Sequence, residues 1–115
     1  MRTWIGIAAA VAVAIPPALA HHGWSTYDPA KVMTLEGAIL ESAFEFPHGE
    51  IVLEGDGKRW MVVLAPPSRM RTRGLEPAEI AVGKTAKVEG YPLKNGEPEM
   101  RAERITVAGK TIELR

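Results

Sequence analysis

Cysteine is absent from the 115-residue chain. With it go a disulfide framework, a thiolate zinc site, a cysteine nucleophile and a lipid-modified N-terminal cysteine. Net charge is absent as well, since 14 Lys and Arg balance 14 Asp and Glu. The chain therefore lacks the basic excess with which nucleic-acid-binding domains meet phosphate, and no nucleic-acid partner is expected. Aromatic residues make up only 6%, too few for an obvious base-stacking platform. Ser25, Ser42 and Ser68 stand in contexts without a nucleophile elbow, so no catalytic residue is assigned. Internal repeats, low-complexity tracts and a linker able to divide two domains are also missing.

Residues 1–20 differ in kind from the rest. Met1-Arg2 is a short basic start, Trp4 to Ile15 is an apolar run, and Pro16-Pro17 ends it before Ala18-Leu19-Ala20. This is the layout of a secretory signal peptide with small residues where a signal peptidase reads. The run is well short of the roughly 20 residues a membrane helix needs, so a permanent span is the weaker reading. Cleavage is expected between Ala20 and His21, which makes the protein periplasmic; an uncleaved anchor or a cut one or two residues away competes. Removing residues 1–20 takes away Arg2 and leaves 13 basic against 14 acidic side chains over 95 residues. Residues 21–115 are thus a nearly neutral single domain that relies on its apolar core alone.

From Val32 the pattern has period two, with Met33, Leu35 and Ile39 on one side and Thr34 and Glu36 on the other. That is a half-buried strand. Phe46-Pro47-His48-Gly49 interrupts it and puts His48 at one end of a hairpin. Ile51 to Glu54 and Arg59 to Leu64 read as the next strands, joined by Gly55-Asp56-Gly57-Lys58. Ser68 is placed to cap a short helix through Arg73 that ends at Gly74. Lys84 to Gly90, Met100 to Val107 and Thr111 to Leu114 follow as strands, with a loop over Tyr91 to Pro98. Five or six short strands and one helix after the third predict an all-β fold: a small antiparallel Greek-key barrel, OB-like. A simple antiparallel roll or small sandwich would give nearly the same pattern.

Three imidazoles are available for chemistry: His21, His22 and His48. With His21 first in the mature chain, its α-amine and its own Nδ1 form a chelate that internal histidines cannot offer. Adding His48 gives three nitrogens in one plane, a set suited to tetragonal Cu(II). Alternatively His22, at mature position two, binds through the α-amine, its own backbone amide and its imidazole. Copper is therefore the candidate cofactor, with a metal ion or a metal-handling protein as partner. The competing reading is a new N-terminus that frays, with the histidines solvated and idle. Trp24, Tyr27, Asp28 and Glu50 are candidates for an axial contact or for orienting an imidazole, although Trp24 has an alternative use in packing the N-terminal segment onto the barrel. Met61, Met70 and Met100 offer thioethers but fit a core role better.

Arg69, Arg71 and Arg73 form the other local feature, with Arg101 and Arg104 later in the chain. They would make a forked pocket for a carboxylate or phosphate, or a docking patch for a partner protein. Solvated pairs with Glu76, Glu79, Glu99 and Glu103 are the plainer alternative. A copper-dependent oxidoreductase is the third class; the domain is small for it and enzymatic activity is not expected.

The segments His21-His22-Gly23-Trp24, Pro47-His48, Leu64-Ala65-Pro66-Pro67-Ser68-Arg69-Met70, Arg73-Gly74-Leu75 and Met100-Arg101-Ala102-Glu103-Arg104-Ile105 belong together. Through them the chain resembles a family of short exported bacterial proteins of unknown function that begin, after the signal peptide, with such a His-His-Gly-Trp segment. The resemblance covers nearly the whole mature chain and implies export and a compact β-rich domain. It implies no particular activity or ligand set.

Overall fold

The alternation that begins at Met33 continues without a Pro or a charged inward position, and the chain extends as strand β1 (Met33–Ala43). The computed structural model describes residues 23–55 and 57–115. Strands β2 (Glu50–Gly55) and β3 (Lys58–Val63) follow as an antiparallel pair. Then come helix α1 (Pro67–Thr72), a 3₁₀ turn (Pro77–Ile80), and strands β4 (Thr85–Pro92), β5 (Glu99–Val107) and β6 (Lys110–Glu113).

The sheet runs β3-β2-β1-β4-β5-β6, and a further pairing of β3 with β5 closes five of its strands into a barrel, with β6 as one extra strand. This is the expected OB-like architecture. The closing pair is parallel, Val62 opposite Met100 and Val63 opposite Arg101, whereas every other pair is antiparallel. β1 bends between Ile39 and Glu41, where its register with β2 shifts, and so serves both β2 and β4. Leu35, Ile39, Leu53, Val62, Val88 and Ile105 fill the interior and are almost fully buried. Each contributes about 1.5–3 kcal/mol of apolar burial.

Two local expectations need correction. Ser68 does not cap α1; the helix opens at Pro66 and Pro67 with no side-chain cap, because Pro at the first turn has no N–H to satisfy. Strand β4 ends two residues later than expected, since Tyr91 and Pro92 still pair with Arg101 and Met100. A short 3₁₀ turn over Pro77–Ile80 is closed by reciprocal bonds between Glu76 and Glu79, and Ile80 is its buried residue.

Candidate functional site

Four strands line up one row of residues across the barrel wall: Glu50 pairs with Val63, and Val63 with Arg101, which in turn lies opposite Tyr91. Their neighbours Ile51, Val62 and Met100 belong to the core. Strand alternation therefore turns Glu50, Val63 and Arg101 to the outer face. That face is not left to solvent. A second 3₁₀ turn (Gly23–Thr26) and the residues after it lie across it.

Backbone bonds tie this segment down: the Asp28 N–H donates to the Pro92 carbonyl at 2.8 Å, the Lys94 N–H donates to the Thr26 carbonyl at 3.0 Å, and Tyr27 bridges to Leu93. The Tyr27 side chain is only 2% exposed, and its hydroxyl donates to Glu99 Oε2 at 2.6 Å. Trp24 sits over two guanidinium groups, 4.6 Å from Arg101 and 4.3 Å from Arg115, with the Tyr91 ring edge-on at 6.0 Å. Two cavities flank the segment. One of about 230 Å³ is lined by Trp24, Tyr27, Pro29, Tyr91, Lys94 and Arg115; the other, about 420 Å³, includes Thr26, Leu93, Asn95 and Glu99 in its walls.

The electrostatics centre on Arg101, which is 7% exposed. Its Nε and Nη1 have no hydrogen-bond partner among the described residues. Burial holds its pKa below the ordinary arginine value, opposed by Tyr27 and reinforced by the like charges of Arg69 and Arg115. Burial also pushes the Tyr27 phenol far above its usual value; the hydrogen bond and charge of Glu99 add to this, and Glu50 contributes from β2. Glu103 Oε1 lies 3.6 Å from Arg115 Nη1.

His21 and His22 lie outside the described residues. His48 is half-buried in the connection between β1 and β2, next to Gly49, which exchanges backbone bonds with Ala65 and Leu64. Among the described residues, no group of three His, Asp or Glu side chains gathers to hold a metal ion. Trp24 packs the N-terminal segment onto the barrel, and Asp28 accepts the Ala30 N–H in a local turn. Met70 and Met100 are fully buried in the core, while Met61 is partly exposed.

Helix α1 spreads the three clustered arginines. Arg69 donates to the Leu114 carbonyl at 3.0 Å, Arg73 to those of Glu113 and Arg115, and Arg71 stacks on Phe44 at 4.9 Å. Arg104 is held between Glu89 and Glu113. The cluster the sequence reading missed is Trp24 with Arg101 and Arg115. A charged residue in a strand otherwise reading Met100, Ala102 and Ile105 looks like an ordinary outward position, and only the presence of two aromatic rings at Trp24 and Tyr27, in need of a surface to cover, hints otherwise.

No helix among the described residues is long and apolar enough to cross a membrane. No curated protein matches the chain. Among solved structures, a chain in the crystal structure of TiaS in complex with an isoleucine tRNA and ATP is similar, with a TM-score of 0.51 and 18% identity over 76% of this chain and 19% of that one. The likeness is one of fold, and this chain spans about a fifth of that protein's length. The DUF6152 family matches residues 8–101, which is most of the sequence, so the chain belongs to this family of unknown function.

Proposed function

We propose that the protein is exported to the periplasm, that removal of residues 1–20 leaves His21 first, and that the mature N-terminus binds Cu(II) for storage or delivery. The donors in this reading are the α-amine and imidazole of His21 with the imidazole of His48, or the α-amine, backbone amide and imidazole of His22. One observation carries it. The segment that follows the two histidines is anchored to the barrel wall by Tyr27, Asp28 and Lys94 rather than left to fray. An ordered entry at Gly23 lowers the entropy lost when the residues before it close around an ion. Tyr27 also feels the charge of Glu50, which stands two residues beyond His48 on the same hairpin.

Binding would displace protons from an amine with a pKa of roughly 7.7–8.0 and so strengthen as pH rises. The alternative, an anion or partner protein at Arg69, Arg71 and Arg73, has less support because all three guanidinium groups already have partners within the fold. The deciding experiment is a Cu(II) titration followed by electron paramagnetic resonance. It compares natively processed protein, its first residue established by mass, with a form carrying one extra Ala before His21. Tight one-to-one binding with a nitrogen-rich tetragonal spectrum, lost in the extended form, is the expected result. Equal weak binding by both rejects the copper site.

A further inference from the structure

The outer face of β5 carries a positive charge that the described protein groups do not neutralise. Arg101 is 7% exposed, two of its nitrogens lack hydrogen-bond partners among the described residues, and the charges it feels from Arg69 and Arg115 have its own sign. Two carboxylates of the same wall are engaged elsewhere: Glu99 accepts from Tyr27, and Glu103 stands beside Arg115. Taking a guanidinium out of water without a hydrogen-bonded counter-charge is costly, and an indole stacked on it restores only part of the loss.

The cover over this charge is thin. Trp24 belongs to a four-residue 3₁₀ turn with no buried residue, entered at Gly23 in the left-handed region with φ +68°. Backbone attachment to the barrel begins at Thr26, whose carbonyl accepts from the Lys94 N–H. The Trp24 side chain turns about its own Cα–Cβ bond while the backbone bonds at Thr26 and Asp28 stay in place. Beside it lies the cavity of about 230 Å³, walled by the rings of Trp24, Tyr27 and Tyr91 and by Pro29, with the cations Lys94 and Arg115 among its lining.

We propose that this is a binding site for a small organic anion, a carboxylate on a planar apolar body. The Trp24 indole swings aside, the carboxylate accepts hydrogen bonds from Arg101 with Arg115 as the second charge, and the body occupies the aromatic-walled cavity. Guanidinium groups bind carboxylates with directional, charge-assisted bonds, and the ring walls favour a flat body over a bare ion. The site uses none of the histidines and stands or falls independently of copper.

The test is an NMR titration of the ¹⁵N-labelled full chain with benzoate, following the Nε–H of Arg101 and the indole N–H of Trp24. Benzamide serves as the neutral isostere, acetate as the carboxylate without a body, and inorganic phosphate as the bare oxyanion. Both signals should shift saturably with benzoate and stay still with benzamide, and acetate should bind at least about tenfold more weakly. Arg115→Gln, at a side chain 56% exposed, should fold normally and weaken benzoate severalfold. Arg101→Met should abolish the binding. If Arg101→Met fails to fold, the wild-type and Arg115→Gln titrations decide alone. Absence of a saturable shift, equal response to benzamide, unchanged affinity in Arg115→Gln, or phosphate binding as tightly as benzoate overturns the proposal.

Discussion

The Tyr27 hydroxyl donates to Glu99 across 72 positions of sequence, and this one bond pins the start of the described chain to β5. Burial, with the bond and charge of Glu99, raises the phenol's pKa well above its ordinary value of about 10. A raised folded-state pKa stabilises the fold fully below the unfolded value, and that contribution is lost as pH rises through the folded one. The anchor is therefore intact at neutral pH and weakens only in strongly alkaline solution. Tyr27→Phe should cost about 1–2 kcal/mol, read as a lower urea midpoint with an unchanged slope. The amides of Asp28 and Lys94 should lose hydrogen-exchange protection in the same variant, since their bonds cross the same seam. Unchanged protection would mean that the segment is held by Trp24 instead.

Gly90 lies at the register shift between β4 and β5, opposite Ala102. A Cβ there would run into the backbone carbonyl of Arg101, and backbone in a paired strand cannot turn aside. Gly49 offers the contrast, because the closest atom its Cβ would meet is the Cε of Met70, the end of a flexible side chain, at 2.6 Å. Gly90→Ala should therefore cost about 1–3 kcal/mol, and Gly49→Ala distinctly less. Urea unfolding of the two variants side by side checks this, and equal costs would show that the β5 backbone yields.

Arg104 holds two carboxylates at once, with Nε 2.8 Å from Glu113 and Nη1 3.0 Å from Glu89. The hydrogen bond from Arg104 keeps the Glu113 carboxyl below its ordinary pKa, and the charges of Arg104 and Arg73 help. A lowered folded-state pKa gives stability that is present above the unfolded value of about 4.3 and lost as pH falls through the folded value. In Arg104→Met the carboxyl titration of Glu113, followed by ¹³C NMR, should move upward. The stability difference from wild type should be larger at about pH 7 than in strong acid, where the Glu113 carboxyl is protonated in the folded and unfolded states alike. A Glu113 midpoint that does not move would show that solvent already screens the pair.

How much of this was legible in the sequence depends on whether the signal was local. Period-two alternation around Leu35, Ile51, Val62, Val88 and Ile105 located the strands, because each faces the core on one side only. The helix after β3 and its end at Gly74 were legible, but its start was not: the sequence points to Ser68 as the cap, whereas the helix opens at Pro66 and Pro67 without a side-chain cap. The parallel closure of β3 on β5 was not legible, because pairing between segments almost 40 residues apart leaves no periodic trace. Arg101 shows the same limit at the candidate site. Its burial is produced by Trp24 and Tyr27, more than 70 positions earlier, and not by anything beside it. The arginines that looked like a cluster, Arg69, Arg71 and Arg73, diverge because a helix separates alternate positions that a strand would align.

Ala108 is the one non-glycine residue with positive φ among those described, at +49°, followed by Gly109 at +79°. The pair forms the two-residue link between β5 and β6, with Val107 opposite Lys110. Two central residues in the left-handed region define a type I′ hairpin, in which Asn-Gly is strongly preferred because Asn tolerates that conformation. Ala108 is exposed, so exchanging it alters no core contact. Ala108→Asn should stabilise the protein by about 0.5–1 kcal/mol, while Ala108→Val, stiff at Cβ, should destabilise it. Thermal unfolding of the two variants should bracket the wild type, and the same order should appear in the protection of the Leu114 amide, which donates to the Glu103 carbonyl just beyond β6. That link matters for the site as well as for stability, because the strand the hairpin holds in place ends next to Arg115, whose guanidinium lies against Trp24.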